Sequence, residues 1–280
     1  MLKVALTHDV DRIAKTYQYV THLYSAIAKG MWNDALYQAT SVFRRNTYFN
    51  FDMLIKDEQK LGVKSTFFFL HETLKFKPFS IDNWYLSLGR YSLEEKKVKE
   101  IILWLDKNGW EVGLHGSYLS YDNYELMRFE KQLLESILNH SVAGIRQHHL
   151  QMCEETWAIQ KRCKFKYDSS FGLNDKIGFK DEQYIPFAPY SDDFKVFPMI
   201  IMDNPFSELA DKWAELDRII DICINKNSLL VINWHTDHYH PKEFPGFRDN
   251  YLRIIEECKK NSGKFYTLEE YYSELTKDRS

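Results

Sequence analysis

The chain has 280 residues, enough to bury a large core, and its 44% hydrophobic and 28% charged content is that of a globular protein. A net charge of -3 with no lysine–arginine cluster excludes a general nucleic-acid surface, which needs a basic face. No apolar run approaches the roughly 20 residues of a membrane span. The N-terminus lacks a signal-peptide pattern, and Cys153, Cys163, Cys223 and Cys258 show no C-x-x-C or zinc-finger rhythm. A reduced, cytoplasmic protein without membrane insertion is therefore expected, and nothing in the sequence specifies its oligomeric state.

Leu2–Leu6 alternate as a buried strand and run into Thr7-His8-Asp9-Val10-Asp11. Asp9 and Asp11 are two apart, so an extended backbone points both carboxylates to one side, where they repel unless a cation or proton intervenes. A polar-aromatic, largely helical excursion follows over about 12–50. Phe51–Leu61 reads as a helix stopped by Gly62, and Val63–Leu70 as a strand buried on both faces that ends in His71. Residues 73–91 read as loop. Ser92 with Glu95 forms a capping box for the next helix.

Trp110–Leu114 is a strand ending in His115, and Asp122 with Glu125 opens a helix to about Asn139. Val142–Ile145 leads to Arg146-Gln147-His148-His149, and Phe165–Tyr167 to Asp168. A strand-like piece lies around Val196–Met202. Ser207–Asn225 reads as one amphipathic helix, and Ser228–Trp234 as the most apolar strand, ending in His235-Thr236-Asp237-His238. The short Phe265-Tyr266 strand precedes a closing helix from Leu268.

This βαβα rhythm predicts a parallel sheet covered by helices, and about seven strands sharing one site favour a barrel. Of the ten histidines, His22 and His140 fall in helix-like segments and the others at or after strand ends. That edge is where such folds build sites. Imidazoles and carboxylates gathered from different strands suit a metal, which needs about three protein ligands. Asp11 and His115 are the first two; spacing does not fix the third.

The order of motifs resembles the polysaccharide deacetylase superfamily, the NodB-homology barrels of carbohydrate esterase family 4. Thr7-His8-Asp9-Val10-Asp11 is similar to the T-F-D-D motif with one residue inserted, and Gly62–Phe68 to G-x-x-A-T-F-F. Trp110–Ser117 resembles G-x-E-[IV]-G-x-H-[ST], Arg146 the third motif, Tyr167–Ser170 the fourth, and Val231–His235 the fifth. The resemblance implies a distorted TIM-like (β/α)7 barrel over residues 1–280, with helical loop insertions at about 12–50 and 73–91.

By the same resemblance Asp9 is the general base, Arg146 its partner, Asp11 and His115 metal ligands, and Asp168 the group orienting His235. Leu119 stands where the family carries a second histidine, and His148 is the substitute ligand, with His71 and His8 in reserve. The expected cofactor is one divalent ion, zinc first and cobalt or nickel as alternatives. The expected activity is removal of an N- or O-linked acetyl group from a carbohydrate, inside the cell a nucleotide- or lipid-linked precursor of a surface glycan. The alternatives are a degenerate carbohydrate-binding barrel and a metallophosphoesterase, which needs a second metal and a more basic mouth.

Overall fold

The computed structural model describes residues 1–44, 46–190 and 192–277. The chain opens with β1 (Lys3–Val10), a helical hairpin of α1 (Gln18–Ala28) and α2 (Trp32–Ser41), and α3 (Phe51–Leu61). Then come β2 (Ser65–Leu70), α4 (Ile81–Ser87), α5 (Lys96–Lys107), β3 (Glu111–Gly116), α6 (Tyr124–Leu138) and β4 (Gly144–Gln147). Next are α7 (Thr156–Arg162), β5 (Tyr167–Asp168), β6 (Lys195–Val196) and β7 (Met199–Met202). The chain continues through α8 (Asp203–Glu208), α9 (Lys212–Lys226), β8 (Leu229–Asn233), α10 (Phe247–Lys260), β9 (Lys264–Tyr266) and α11 (Leu268–Lys277).

The sheet order is β6-β5-β4-β3-β2-β1-β8-β7, with all neighbours parallel. Its two edges, β6 and β7, are consecutive pieces of one segment split at Phe197-Pro198. Proline has no amide hydrogen for the ladder, so the stave breaks there, one half pairing with β5 and the other with β8. This seam curls the sheet into a barrel of seven staves. β9 pairs with Lys3–Ala5 of β1 below the stretch that β2 occupies.

Strand alternation sorts side chains into two layers. Phe67 and Phe69 face the helices, where Phe51 of α3 stacks on Phe69 at 6.0 Å. Phe68 faces the barrel interior with Ala5, Tyr167, Phe197 and Val231. α11 closes the lower end: Glu111 accepts from the Glu269 amide at 2.9 Å, and Thr66 from that of Leu268 at 3.0 Å. Gly144 is required here, because an added Cβ would lie 2.0 Å from the Tyr167 ring. The interior is thus plugged below by α11 and a buried Glu111–Thr66–Tyr167 cluster, and it opens toward the upper, C-terminal ends of the strands.

Several boundaries differ from the sequence reading. Gly62 is left-handed at φ 61°, as a helix stop requires, and Asn139 takes the same conformation after α6. The 73–91 segment contains α4, and the Ser207–Asn225 helix is two, parted where Leu209 turns extended. Only half of the first capping box forms: Glu95 accepts from the Ser92 amide while α5 starts at Lys96. Asn123 rather than Asp122 caps α6, accepting from Leu126.

Candidate active site at the barrel mouth

Asp9, Asp11, His115, His148 and His235 line one cleft of about 620 Å³ at the C-terminal ends of the strands. A larger cleft of about 750 Å³ lies at the opposite end, against α11, and contains none of these residues.

Arg146 is wholly buried and organises the floor. Its guanidinium lies 4.7 Å from the centre of the Phe68 ring and donates to Thr7 Oγ1, Asp9 Oδ1, Asn233 Oδ1 and Ser169. Asn233 Nδ2 donates to the other oxygen of Asp9 at 2.8 Å. Both Asp9 oxygens are therefore fixed from below. Burial alone would raise this carboxyl; the Arg146 cation, helped by His115 and His235, outweighs it and holds Asp9 below its ordinary value.

Above this floor Asp11, His115 and His148 converge. His115 Nδ1 lies 2.9 Å from the Arg146 carbonyl, which can only accept, so the proton sits on Nδ1 and Nε2 turns its lone pair toward Asp11 Oδ1, 3.2 Å away. His148 Nε2 lies 3.2 Å from Asp11 Oδ2, and Arg90 NH2 donates to that same nitrogen at 3.2 Å. Burial, with Arg90 and His115 beside it, pushes His148 down to about 3 despite Asp11, so the ring is neutral. Asp11 Oδ1 is buried and accepts no hydrogen bond.

Two imidazole nitrogens and a carboxylate thus face one another, a donor set that suits a divalent cation. Two ligands about 2.1 Å from a tetrahedral ion stand about 3.4 Å apart. The two 3.2 Å separations match that spacing, and the three ligand atoms lie within 4.8 Å of one another. The residues present fit a divalent ion.

Asp203, His235 and His238 form a second group of similar composition. Here each contact is a donor meeting an acceptor. Asp203 accepts from the His235 amide at 2.8 Å, from His235 Nδ1 at 3.0 Å and from His238 Nδ1 at 2.9 Å. Its oxygens are satisfied by protons and call for no metal. Burial alone would lower His235, but Asp203, backed by Asp11 and Asp9, holds the ring well above the ordinary histidine value. With Nδ1 engaged, Nε2 is left to the cleft.

Asp203 corrects the sequence reading, which gave the orienting role to Asp168. The Asp168 carboxylate is buried under β5 and accepts from the Ser170 amide, Gln160 and Trp157, with no contact to His235. Asp203 directly follows the strand-like Val196–Met202 piece, so the strand-end rule that selected His115 and His235 also points to it. The reserve ligands lie elsewhere. His8 is buried between Glu58 and the Trp234 carbonyl, and His71 accepts from the Leu93 amide. Leu119 is 47% exposed and outside the cleft lining. Arg90 and Asn233 carry no role in the sequence reading, and Arg90 arrives from the segment over 73–91, which offers no motif.

No family model matches the sequence, nor does any curated protein. Among solved structures, one from Mycobacterium smegmatis described as a polysaccharide deacetylase matches with a TM-score of 0.61 and 17% identity, covering 99% of this chain and 91% of that one. The PuuE allantoinase structure matches with a TM-score of 0.59 and 12% identity, covering 97% and 89%. The fold is thus the deacetylase-type barrel that the motif order implies.

Proposed function

On a polysaccharide-deacetylase barrel with an aspartate and two histidines converging at its mouth, we propose a metal-dependent hydrolase that removes an acetyl group from a sugar or glycan precursor. The observation that carries this reading is the convergence of Asp11, His115 and His148 as a candidate ligand set, beside a carboxylate and an imidazole held in complementary protonation states. A divalent ion bound by the triad, zinc in the first place, would polarise the acetyl carbonyl and offset the developing oxyanion charge.

The chain's own residues supply the proton transfers. Asp9, kept ionised by Arg146, takes a proton from water as the water oxygen bonds to the acetyl carbon. The bond from that carbon to the sugar nitrogen or oxygen breaks as His235 Nε2 gives its proton to the leaving atom. Acetate and the free amine or alcohol depart, and proton exchange with solvent restores Asp9 and His235. Asp203 fixes the ring orientation and keeps it charged until that step.

Arg90 favours a second reading, a barrel that binds carbohydrate without cleaving it. Its guanidinium donates to His148 Nε2, the lone pair a metal would use. A phosphoesterase with a second metal is disfavoured, because Asp203 is saturated by N–H donors. The deciding experiment measures metal content of the wild type and His115→Ala beside acetate release from N- and O-acetylated sugars. About one ion per chain, lost in the variant together with acetate release, supports the hydrolase. No ion after soaking with zinc, cobalt or nickel leaves the binding barrel.

A further inference from the structure

The α1–α2 hairpin is built inside out. Its inward side is polar: Gln38, Tyr37 and nearby Lys15 and Thr47 all bond the Glu243 carboxylate, at 2.8–3.2 Å. Its outward side is apolar, with Val20, Tyr24, Trp32, Leu36 and Phe43 standing 68–90% exposed. Val20, Tyr24 and Ile27 follow helical spacing on α1, as do Trp32 and Leu36 on α2, so each helix turns its stripe away from the barrel. At about 150–250 Å² per large aromatic side chain, Tyr24, Trp32 and Phe43 alone offer roughly 500 Å² of mostly apolar surface at these exposures, and Val20 and Leu36 add to it. The largest patch on a typical monomer is about 300–600 Å².

The charges around this surface are basic. Lys29 sits at the turn between the helices and Arg44 follows Phe43. In the second insertion Lys75 and Lys77 alternate with Phe76 and Phe79, which are 48% and 101% exposed. Asp34 is the one acid of the hairpin sequence, in a chain of net charge -3. The two insertions meet where Tyr17 packs edge-on against Tyr85 at 5.5 Å, and Tyr85 also lines the catalytic cleft. Among the described residues no helix is long and apolar enough to cross a membrane.

We propose that the α1–α2 hairpin, with the Lys75–Phe79 segment, is a docking surface that adsorbs the protein onto an anionic lipid bilayer. Tryptophan and tyrosine flanked by lysine and arginine suit the headgroup region, where the rings bury and the cations meet lipid phosphates. A second copy is the poorer occupant. A two-fold pairing of hairpins would bring Lys29 and Arg44 of both chains together, with Asp34 as their only hairpin counter-charge.

The test is co-sedimentation of the full chain with phosphatidylcholine vesicles, with and without a quarter phosphatidylglycerol. The chain should pellet with the anionic vesicles and be released by salt. Trp32→Glu with Leu36→Glu should weaken binding at least tenfold, and each of Lys29→Glu, Lys75→Glu and Lys77→Glu about fivefold. All five side chains point outward, so circular dichroism and Tm should match the wild type. Three results overturn the proposal: no pelleting at low salt, pelleting that the variants leave unchanged, or a solution dimer that the hairpin variants dissociate and that ignores vesicles. None of these readouts depends on catalysis.

Discussion

Asp203 grips His235 twice, accepting from its backbone nitrogen at 2.8 Å and from its Nδ1 at 3.0 Å. The contact fixes the ring's tautomer and position, and it keeps the ring protonated. Asp203→Asn should therefore lower kcat/KM for acetate release by about 10²–10⁴, the worth of a positioned general acid. The sign of the pH effect follows from the raised value of His235. In the wild type the acid form persists to higher pH than that of an ordinary histidine. In the variant burial is no longer offset by Asp203, so the acid form is lost at lower pH and the basic limb of the profile moves down. Histidine NMR titration of the same variant reports the shift without any turnover. Asp168→Asn, far from the ring, should leave that titration unmoved; a shift in the Asp168 variant and none in the Asp203 variant would reverse the assignment.

A metal bound at the proposed site would compete with Arg90 for His148. Removing its guanidinium frees Nε2 and deletes a positive charge that lies 3.7 Å from Asp11 Oδ2. Arg90→Gln should bind cobalt or zinc more tightly than the wild type, while His148→Ala binds at least about tenfold more weakly. Titration calorimetry, or the visible spectrum of the cobalt form, measures both. If His148→Ala binds as well as the wild type, the third ligand is another residue.

The floor of the site is a buried ion pair, so its members are not interchangeable. Arg146→Ala leaves Asp9 buried without its main partner, forced to hold an unpaired charge or take up a proton, and should cost about 3–5 kcal/mol in urea unfolding. Asp9→Asn keeps the hydrogen-bonding shape and removes the charge. It should lose acetate release and retain metal, because Asp9 is outside the triad. Equal loss of stability in the two variants would mean that Asp9 serves the fold rather than the chemistry.

What could be read from the sequence was local. The unbroken apolar run of β2 announced a stave buried on both faces, and Gly62 announced the end of α3. Asp9, Asp11, His115, Arg146 and His235 were legible because each ends a strand-like run, and a parallel barrel gathers such ends at one rim. Asp203 also ends a strand-like run, but the resemblance assigned the orienting role to Asp168, and nothing local to Asp203 ties it to His235, 32 residues away. Arg90 escaped for a different reason. The connection between β2 and α5 that carries it keeps no strand register, so nothing in its spacing says which side chain reaches the mouth.

Glu130 offers a test of the packing beneath the mouth. It is fully buried on α6; one oxygen accepts from the Ser117 amide at 3.1 Å, and the other has no hydrogen-bond partner. Burial pushes it up to about 8, Ser117 opposing and Glu72 adding to the shift. The folded state thus holds a proton that the unfolded chain releases near pH 4.5. The stability this contributes is complete below about 4.5 and is lost as pH rises through 8. Glu111, pushed up to about 7 chiefly by burial, acts in the same direction. Above about pH 6.5, where the opposing contribution of neutral His148 is already complete, wild-type stability should therefore decline toward pH 8, with Glu130 contributing at most about 5 kcal/mol over its whole range. Glu130→Gln cannot ionise, so its decline should be visibly shallower. Urea unfolding at pH 5, 6, 7 and 8 in the presence of a chelator isolates the effect from metal binding, and parallel curves for the two proteins would show that Glu130 does not hold its proton.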